Sequence, residues 1–474
     1  MGGVFGVVSE KDCMKEGFYG VDYHSHVGTS YGGMAVWNAR GPHYKIHELF
    51  NDSFRSKLEG FANGNSGRIV VGAISDTEEQ PLVLKSHLGA YVLVGVGKVG
   101  NLRKLAGEHR RSGSHTLMAN GKVNPLEIVA SLIDEGSDFA EGIGIMQERV
   151  EGSYTMLIMT KEGIYASRDK HGRTPLALGR RGRDVAVASE SCSFPNLKFK
   201  FERNLGPGEA VFIDRNGEVS QIKKPDEKNL EICSFLWVYY GFPASTYEGV
   251  NVEEARYRCG KMLAARERES GRYDIDVVAG IPDSGTGHAH GFANASGIPH
   301  ERPFVKYTPT WPRSFMPQDQ SVRDLVAKMK LIPIAELIRG RSLLFCEDSI
   351  VRGTQLKDTI QRLYDAGAKQ VHMRPACPPL IYGCKFLNFS RSKSVLDLAG
   401  RRAIDEMGDD ERNLWKYANP DSREHKKMVE KIRARLNLTS LRYQRLDDLV
   451  SAIGLPKEKL CTFCWDGRTK CGKR

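Results

Sequence analysis

The sequence predicts two consecutive folds: an α+β sandwich of two sheets, followed by an α/β domain built on a parallel sheet. Three observations predict them. The chain has 474 residues, beyond the roughly 250–300 at which a single core stops growing. Up to about residue 230, short apolar runs alternate with turns, which is typical of mixed β structure. Beyond it, strand, glycine-rich turn and helix follow one another repeatedly, which is typical of parallel sheets.

The first half owes its β character to runs such as "GVFGVVS", "RIVVGAIS", "AYVLVGVG" and "YTMLIMT". Segments such as "NPLEIVASLIDEG" have the spacing of an amphipathic helix. The pattern changes after "KKPDEKNLEIC", so we place the boundary near residues 225–235. We therefore expect a first domain over 1–230, a second over 231–440 and a C-terminal extension over 441–474.

Composition excludes several classes of protein. No run of 18 apolar residues is present, and the first residues lack a basic stretch followed by an apolar one, so we expect a cytoplasmic protein. The formal net charge is +11, which suits an anionic ligand without identifying it. The basic stretch "HKKMVEKIRARLNLTSLRYQR" is better explained as a solvated helix face than as a nucleic-acid patch, because no nucleic-acid motif accompanies it.

The segment "SLLFCEDSIVRGTQL" is the strongest motif. An apolar strand delivers Glu347 and Asp348, and a loop then leads into a helix. Amide groups at a helix start can hold a phosphate, and adjacent acids at a strand end can hold the hydroxyl groups of a ribose. The residues that we expect to bind are Glu347, Asp348, Ser349, Ile350, Val351, Arg352, Gly353 and Thr354.

This segment resembles the signature of the type I phosphoribosyltransferases, whose ligand is phosphoribosylpyrophosphate; the first of their two usual aspartates is Glu347 here. The resemblance implies that a second loop, Asp283, Ser284 and Gly285, faces the pyrophosphate. The basic, proline-rich segment after it resembles a lid, and Lys306, Arg313 and Lys330 are its candidate pyrophosphate contacts. The leaving pyrophosphate requires Mg²⁺, for which the acids Asp283, Glu347 and Asp348 are candidate ligands.

Nearly the whole chain resembles the glutamine phosphoribosylpyrophosphate amidotransferase family. The supporting segments, in the family's order, are "EGSYTMLIMT", "GRTPLALG", "VASESCSF", "LGPGEAVFI", "VYYGFPASTYEGVNVEEAR", "PDSGTG", "CEDSIVRGTQL" and "RPACPPL". The resemblance implies an Ntn-hydrolase-like first domain, a type I phosphoribosyltransferase domain and a place in purine biosynthesis. Such enzymes release ammonia from glutamine in the first domain and use it in the second to form 5-phosphoribosylamine. The resemblance also implies dimers or tetramers.

The first domain departs from this family where glutamine should be cut. Gly2 stands in the place of the nucleophilic N-terminal cysteine, and a glycine cannot attack a carboxamide. Val27 and Ser75 stand where arginines are expected. Val99 replaces the oxyanion asparagine, and Pro125 replaces the acid that binds the substrate amine. We therefore expect no catalytic residue in this domain and no glutaminase activity.

An alternative nucleophile is Cys13, exposed by removal of a leader. We do not favour it, because the cut would delete the strand "GVFGVV" and no strand follows Cys13.

The chain has ten cysteines, and four of them occupy positions that bind a 4Fe–4S cluster in the iron–sulfur members of the family. These are Cys233, Cys384, Cys461 and Cys464. Four thiolates suit such a cluster or zinc, and the resemblance favours the cluster. Cys377 and Cys471 are expected to be free thiols, and Cys192, Cys259 and Cys346 buried core residues.

These observations predict an enzyme that makes 5-phosphoribosylamine from phosphoribosylpyrophosphate with ammonia. Two alternatives remain. The protein could be a sensor that binds phosphoribosylpyrophosphate or a nucleotide without turnover, or its first domain could dock a separate glutaminase.

Overall fold

The computed structural model describes residues 2–50, 52–111, 118–119, 122–271, 274–306, 331–388, 394–409 and 411–470. The predictions for Arg313, Lys330 and Cys471 lie outside these ranges. Within the ranges, each helix is too short or too polar to cross a bilayer.

Two antiparallel sheets form the N-terminal half. With strands numbered in chain order, the first sheet has the spatial order β13 (Lys200–Asn204), β11 (Ala177–Arg181), β12 (Asp184–Ala188), β1 (Gly2–Val8), β4 (Ile69–Ser75), β2 (Tyr31–Asn38) and β3 (Gly41–Glu48). The second has the order β15 (Val219–Lys223), β14 (Ala210–Asp214), β10 (Gly163–Ser167), β9 (Gly152–Thr160), β6 (Gly89–Val99) and β5 (Leu82–Ser86). A short pair, β7 (Met118–Ala119) and β8 (Lys122–Val123), lies apart from them.

The two sheets pack face to face, with helices on both outer faces. Both faces of strand β1 are buried, which explains why its sequence is apolar throughout. Val4 and Val8 pack in the core between the sheets, whereas Phe5 and Val7 pack with the helices on the outer face, since successive side chains of a strand point to opposite faces. The helices of this half are α1 (Met14–Asp22), α2 (Phe54–Asn63), α3 (Leu102–Arg111), α4 (Pro125–Ile133), α5 (Phe139–Arg149) and α6 (Ser193–Asn196).

A four-stranded parallel sheet forms the centre of the C-terminal half. Its strands, in spatial order, are β19 (Val277–Gly280), β22 (Ser342–Glu347), β23 (Gln370–Pro375) and β24 (Ser440–Leu441). The helices are α7 (Val252–Ser270), α8 (Thr286–Ser296), α9 (Ala335–Ile338), α10 (Thr354–Asp365), α11 (Ala399–Asp405), α12 (Leu414–Ala418), α13 (Arg423–Arg435), α14 (Leu446–Ile453) and α15 (Phe463–Asp466). Apolar residues are buried on both faces of the sheet, as expected when helices cover both faces.

Short strand pairs complete the fold. They are β16 (Ile232–Cys233) with β25 (Leu460–Cys461), β17 (Thr246–Tyr247) with β18 (Val250–Asn251), and β20 (Phe304–Lys306) with β21 (Leu331–Pro333). The β16–β25 pair is parallel and brings the C-terminal segment against the junction of the two halves. The predicted fold class, an antiparallel α+β sandwich followed by a parallel-sheet domain, is confirmed. The division at residues 230 and 440 stays a prediction.

The two halves meet at a buried carboxylate. Glu190, after β12, accepts hydrogen bonds from the hydroxyl groups of Ser245 and of Tyr247, the latter at 2.7 Å. Burial alone would raise the pKa of Glu190, but hydrogen bonds from His26 and these two hydroxyl groups lower it below its usual value. Since Glu190 belongs to the sandwich and its two hydroxyl partners belong to the segment before α7, this carboxylate ties the halves together.

Candidate active site and four-cysteine site

Strand β22 delivers the two predicted acids to the carboxyl edge of the parallel sheet. Glu347 is its last residue and Asp348 follows it, and both are buried. The amide of Asp348 donates to the Glu347 carboxyl Oε1 at 3.1 Å, and the Ser349 hydroxyl donates to Asp348 Oδ1 at 2.5 Å. Burial raises the pKa of Glu347 well above its usual range, and the neighbouring Asp348 charge raises it further. Two buried acids thus lie side by side at this edge.

The loop after these acids leads directly into a helix. Ile350 is buried in the core, and the Val351 carbonyl accepts from the Ala399 amide at 2.7 Å. Gly353 precedes α10 with a φ of +77°, in the left-handed region that favours glycine. This loop is therefore anchored by its buried Ile350 and by the Val351 carbonyl, and it joins Asp348 to the start of α10.

The second predicted loop lies against the end of strand β22, which leads into the first loop. The Ile281 amide donates to the Cys346 carbonyl at 3.0 Å. A Cβ on Gly285 would lie 2.4 Å from that same carbonyl oxygen, so only glycine allows this approach. Asp283, in this loop, pairs with the Lys306 ammonium group. The structure therefore brings Asp283, Ser284, Gly285 and Lys306 to the sheet edge that carries Glu347 and Asp348.

One charged residue near this edge escaped sequence reasoning. The buried guanidinium of Arg256, on α7, donates to the carbonyl groups of Trp237 at 3.0 Å and of Gly241 at 2.9 Å. Burial lowers its pKa, and the charges of Glu253 and Asp348 oppose that shift. Arg256 therefore lies within electrostatic reach of Asp348. Arg256 is the last residue of "VYYGFPASTYEGVNVEEAR", but no spacing rule singles it out.

In the sandwich, the five positions where the resemblance expects glutaminase residues lie around Gly2. Gly2 is paired with Ser75 across β1 and β4. A Cβ on Gly2 would lie 2.4 Å from the Ile74 carbonyl oxygen and 3.0 Å from Val96 Cγ1 on β6, the strand that ends at Val99. Within this packing, residue 2 has no space for a side chain.

The loops around Gly2 carry the other two positions. A Cβ on Gly28, next to Val27, would lie 3.3 Å from Ser75 backbone atoms. The side-chain amide of Asn124, next to Pro125, donates to the Glu79 carbonyl at 3.1 Å. All five positions named from the sequence therefore belong to one region of the sandwich.

This region also contains a buried carboxyl group that the sequence did not indicate. Glu78 accepts hydrogen bonds from the Ser75 hydroxyl at 2.8 Å and from the Thr77 hydroxyl at 2.5 Å, and burial raises its pKa. Where the resemblance expects an arginine for the substrate carboxylate, the structure thus has a serine bonded to an acid.

The four cysteines predicted as ligands line one small cavity at the junction of the halves; we call them and this cavity the four-cysteine site. The cavity is lined by Arg173, Cys233, Phe235, Cys384, Phe386, Leu387, Cys461, Cys464 and Trp465. The β16–β25 register places Cys233 beside Cys461. A hydrogen bond between the thiols of Cys384 and Cys464 lowers the pKa of Cys384 to about 7. The thiols are thus gathered from three distant segments of the chain.

The described residues contain no group of three or more His, Cys, Asp or Glu side chains placed to hold a metal ion. The four thiols converge on one cavity, where the free thiols of Cys384 and Cys464 are hydrogen-bonded to each other. The other described cysteines are all buried, as expected for Cys192, Cys259 and Cys346. Cys377 is buried as well.

The two folds and the paired loops define a class of protein in which a glutamine amidotransferase-type sandwich is joined to a phosphoribosyltransferase-type domain. Residues 67–196 match the family of glutamine amidotransferase domains. The chain is 28% identical to an amidophosphoribosyltransferase of Methanocaldococcus jannaschii, over 99% of this chain and 97% of that protein. It is 33% identical to one from Archaeoglobus fulgidus, over 77% and 78%, and 30% identical to one from Mycobacterium tuberculosis, over 98% and 85%.

Solved structures agree. One described as glutamine phosphoribosylpyrophosphate amidotransferase from B. subtilis, complexed with ADP and GMP, matches with a TM-score of 0.82 at 25% identity, over 99% of this chain and 97% of that one. Another, described as the allosteric regulatory enzyme of purine biosynthesis, matches with the same TM-score and identity. The chain belongs to the amidophosphoribosyltransferase family.

Proposed function

We propose that this protein is an amidophosphoribosyltransferase of purine biosynthesis that uses free ammonia and does not hydrolyse glutamine. The observation that carries the transferase assignment is the contact of the 281–285 loop with the end of β22, the strand that leads into the 347–353 loop at the same edge of the parallel sheet. Ligands of parallel-sheet proteins bind at that edge. The reaction we propose is the one for which the similar amidophosphoribosyltransferases are named.

In the proposed reaction, the ammonia nitrogen forms a bond to C1 of the ribose and the bond from C1 to the pyrophosphate oxygen breaks. One proton leaves the nitrogen, and the products are 5-phosphoribosylamine and pyrophosphate. Glu347 and Asp348 hold the ribose hydroxyl groups, and the amide groups from Ser349 to Thr354 hold the 5-phosphate. The reaction needs little acid–base catalysis, because pyrophosphate leaves as an anion. These residues therefore contribute positioning and charge stabilisation.

The pyrophosphate is assigned to the second loop. Asp283, Ser284 and Gly285 border it, and Lys306 exchanges its pairing with Asp283 for the pyrophosphate oxygens. Asp283, Glu347 and Asp348 suit Mg²⁺, which prefers carboxylate oxygens and substrate phosphates; when bound, it would neutralise charge on the leaving group. Arg313 and Lys330 stay candidate contacts outside the described residues.

Loss of the glutaminase reaction is supported by the region around Gly2. A cysteine at residue 2 would place its Cβ 2.4 Å from a carbonyl oxygen. Val99 has no side-chain donor for an oxyanion, and Ser75 is bonded to the Glu78 carboxyl. A site that must hold the two charged ends of glutamine lacks the partners for both.

The four-cysteine site suits a 4Fe–4S cluster, because four sulfur donors from three segments of the chain converge on one cavity. When bound, such a cluster would tie the C-terminal segment to the rest of the protein. Binding requires the Cys384 and Cys464 thiols to exchange their mutual hydrogen bond for bonds to iron. Zinc is the other ion that four thiolates accept, and metal analysis of the protein purified without oxygen separates the two.

The remaining assignments are also proposals. The sequence patterns and the resemblance support divisions at residues 230 and 440 and a cytoplasmic location. They also support a dimer or tetramer and a separate glutaminase as the ammonia source. The described residues are compatible with a sensor as well, so turnover has to be measured.

The deciding experiment supplies the full chain, prepared without oxygen, with phosphoribosylpyrophosphate and Mg²⁺ and measures pyrophosphate release. We expect release with an ammonium salt and none with glutamine. Asp348→Asn should abolish it, whereas Asp358→Asn, which changes an exposed acid on α10, should not. Turnover with glutamine alone contradicts the loss of the glutaminase. Binding without turnover favours the sensor.

A further inference from the structure

Two cations of the N-terminal half reach the four-cysteine site. The first is Arg173, in the connection between β10 and β11. Its side chain is 1% exposed, lines the cavity, and has its guanidinium 3.8 Å from the Phe386 ring centroid. It is ion-paired with Glu231 and bonded to the Ser153 hydroxyl at 3.3 Å. The amide of Cys233 donates to the Arg173 carbonyl at 3.2 Å, so this arginine is tied to one of the four cysteines directly.

The second cation is Lys98, near the end of β6. Its ammonium group donates to the Cys384 carbonyl at 3.2 Å, across 286 positions of the sequence. The preceding carbonyl, that of Gly97, accepts from the Asn388 side-chain amide at 3.0 Å. Strand β6 therefore holds the segment that carries Cys384 at two points. Lys98 directly precedes Val99, so it belongs to the part of the sandwich whose glutaminase residues are replaced.

The charges have a consequence for any cluster held by four thiolates, because such a group is an anion in a buried place. Burying an uncompensated charge is costly, and an adjacent opposite charge offsets the cost. Arg173 lines the cavity, whereas its partner Glu231 does not. Lys98 orients the Cys384 peptide and adds a second positive charge. Charges and hydrogen bonds around a cluster also set its reduction potential.

We propose that the N-terminal half now serves as an electropositive cap on the four-cysteine site, with Arg173 and Lys98 as the positioning residues. This inference rests on the proposed cluster in that site. It assigns a role to a domain that we propose no longer cuts glutamine. The cap retains the cluster and stabilises its reduced, more negative form, so that removing either cation lowers the reduction potential.

The test uses the full chain reconstituted with iron and sulfide without oxygen. Lys98→Met removes one cation without leaving a buried acid unpaired. Lys85→Met is its matched control, because Lys85 is an exposed lysine on the neighbouring strand β5. The readouts are the reduction potential, followed by electron paramagnetic resonance, and the rate at which the visible absorbance bleaches in air. We expect Lys98→Met to have a lower potential and to bleach roughly tenfold faster, and Lys85→Met to behave as the parent chain.

A second pair of variants covers Arg173. Arg173→Lys keeps the charge, whereas the double variant Arg173→Met with Glu231→Gln removes the charge and its partner together. We expect the lysine variant to keep a potential near that of the parent and the double variant to have a lower one. Potentials and bleaching rates that do not differ between Lys98→Met and Lys85→Met overturn the cap. A parent chain that takes up no iron–sulfur cluster overturns the cluster proposal, and the cap with it, before any variant is compared.

Discussion

Two adjacent acids buried at the end of a strand cost folding free energy. Glu347 and Asp348 are both buried, and burial together with the neighbouring charge raises the pKa of Glu347. Protons therefore bind Glu347 more tightly in the folded chain than in the unfolded one. Its contribution to stability is complete below the unfolded pKa, about 4.3, and is lost as pH rises through the folded pKa. The proposed binding site is therefore maintained at a cost in stability.

This sign predicts the behaviour of Glu347→Gln, which imitates the neutral acid at every pH. We expect the variant to have a higher Tm than the parent at about pH 8 and a smaller difference at about pH 5, with weaker binding of phosphoribosylpyrophosphate. Thermal unfolding at the two pH values measures the first effect and calorimetric titration the second. Glu336→Gln, which changes an exposed acid on α9, should shift neither. An equal gain at both pH values would contradict the assigned shift.

Gly2 gives a prediction that does not depend on activity. Gly2→Ala places a Cβ 2.4 Å from the Ile74 carbonyl oxygen, and overpacking of this kind costs about 1–3 kcal/mol. Urea unfolding measures the loss. Gly60→Ala is the matched control, because a Cβ there, inside α2, meets nothing within 4 Å, and it should stabilise the protein by roughly 0.5–1 kcal/mol. If both variants are equally stable, residue 2 has more space than the structure shows. Gly2→Cys should lose a similar amount of stability and gain no glutaminase activity.

Among the structural elements, the β17–β18 pair joins the sandwich to the parallel-sheet domain. It holds the buried Tyr247 hydroxyl 2.7 Å from Glu190, which comes from the loop after β12. Three groups, His26, Ser245 and Tyr247, together lower the pKa of Glu190 against the effect of its burial. The carboxylate therefore stays charged, and its bonds to Ser245 and Tyr247 cross from one half to the other.

We expect Tyr247→Phe to weaken this junction. The variant keeps the ring and removes a hydrogen bond to a charged acceptor, which is worth about 1.5–3 kcal/mol. Denaturant unfolding should show that loss, and a transition split into two steps would indicate that the halves have become independent. Tyr44→Phe alters a tyrosine that is 51% exposed and should change nothing measurable. A variant as stable as the parent would show that this hydrogen bond does not stabilise the junction.

At the scale of the whole molecule, the four-cysteine site is where distant parts of the chain meet. Cys233 follows the sandwich, Cys384 follows strand β23, and Cys461 and Cys464 lie close to the C-terminus. The amide groups of Ile381 and Tyr382 both donate to the Cys464 carbonyl at 3.0 Å. Because a bound metal group stabilises only the folded arrangement, it would lock all these segments at once.

Cys464→Ser should therefore affect the whole protein. We expect a large drop in bound iron, a lower Tm, and faster proteolytic removal of the segment from α14 onward. Iron analysis and limited proteolysis followed by mass spectrometry measure these effects. Cys192→Ser changes a buried cysteine outside the site and should keep the iron. Full iron content in Cys464→Ser would show that this cysteine is not a ligand.

Much of this architecture follows from local sequence. Alternating apolar runs predict the strands of the sandwich, and "SLLFCEDSIVRGTQL" predicts strand β22, the acidic pair and helix α10 within one short segment. The register of β16 and β25 is different: four residues bring Cys233 beside Cys461 across about half of the chain. The sequence implied only that these cysteines share a cluster, through a resemblance, and no periodicity within either segment encodes the strand pairing.

The sequence by itself determined the fold class, because strand and helix periodicities depend on neighbouring residues, and its contiguous motifs gave the family through a resemblance. The residues for an activated sugar phosphate stay a prediction from those motifs. Only the tertiary structure decided that residue 2 has no room for a side chain, that Glu78 bonds to Ser75, that Arg256 lies near Asp348, and that Arg173 and Lys98 reach the four-cysteine site. Those facts depend on close packing between segments far apart in the chain, and distance in space is what a linear pattern does not contain.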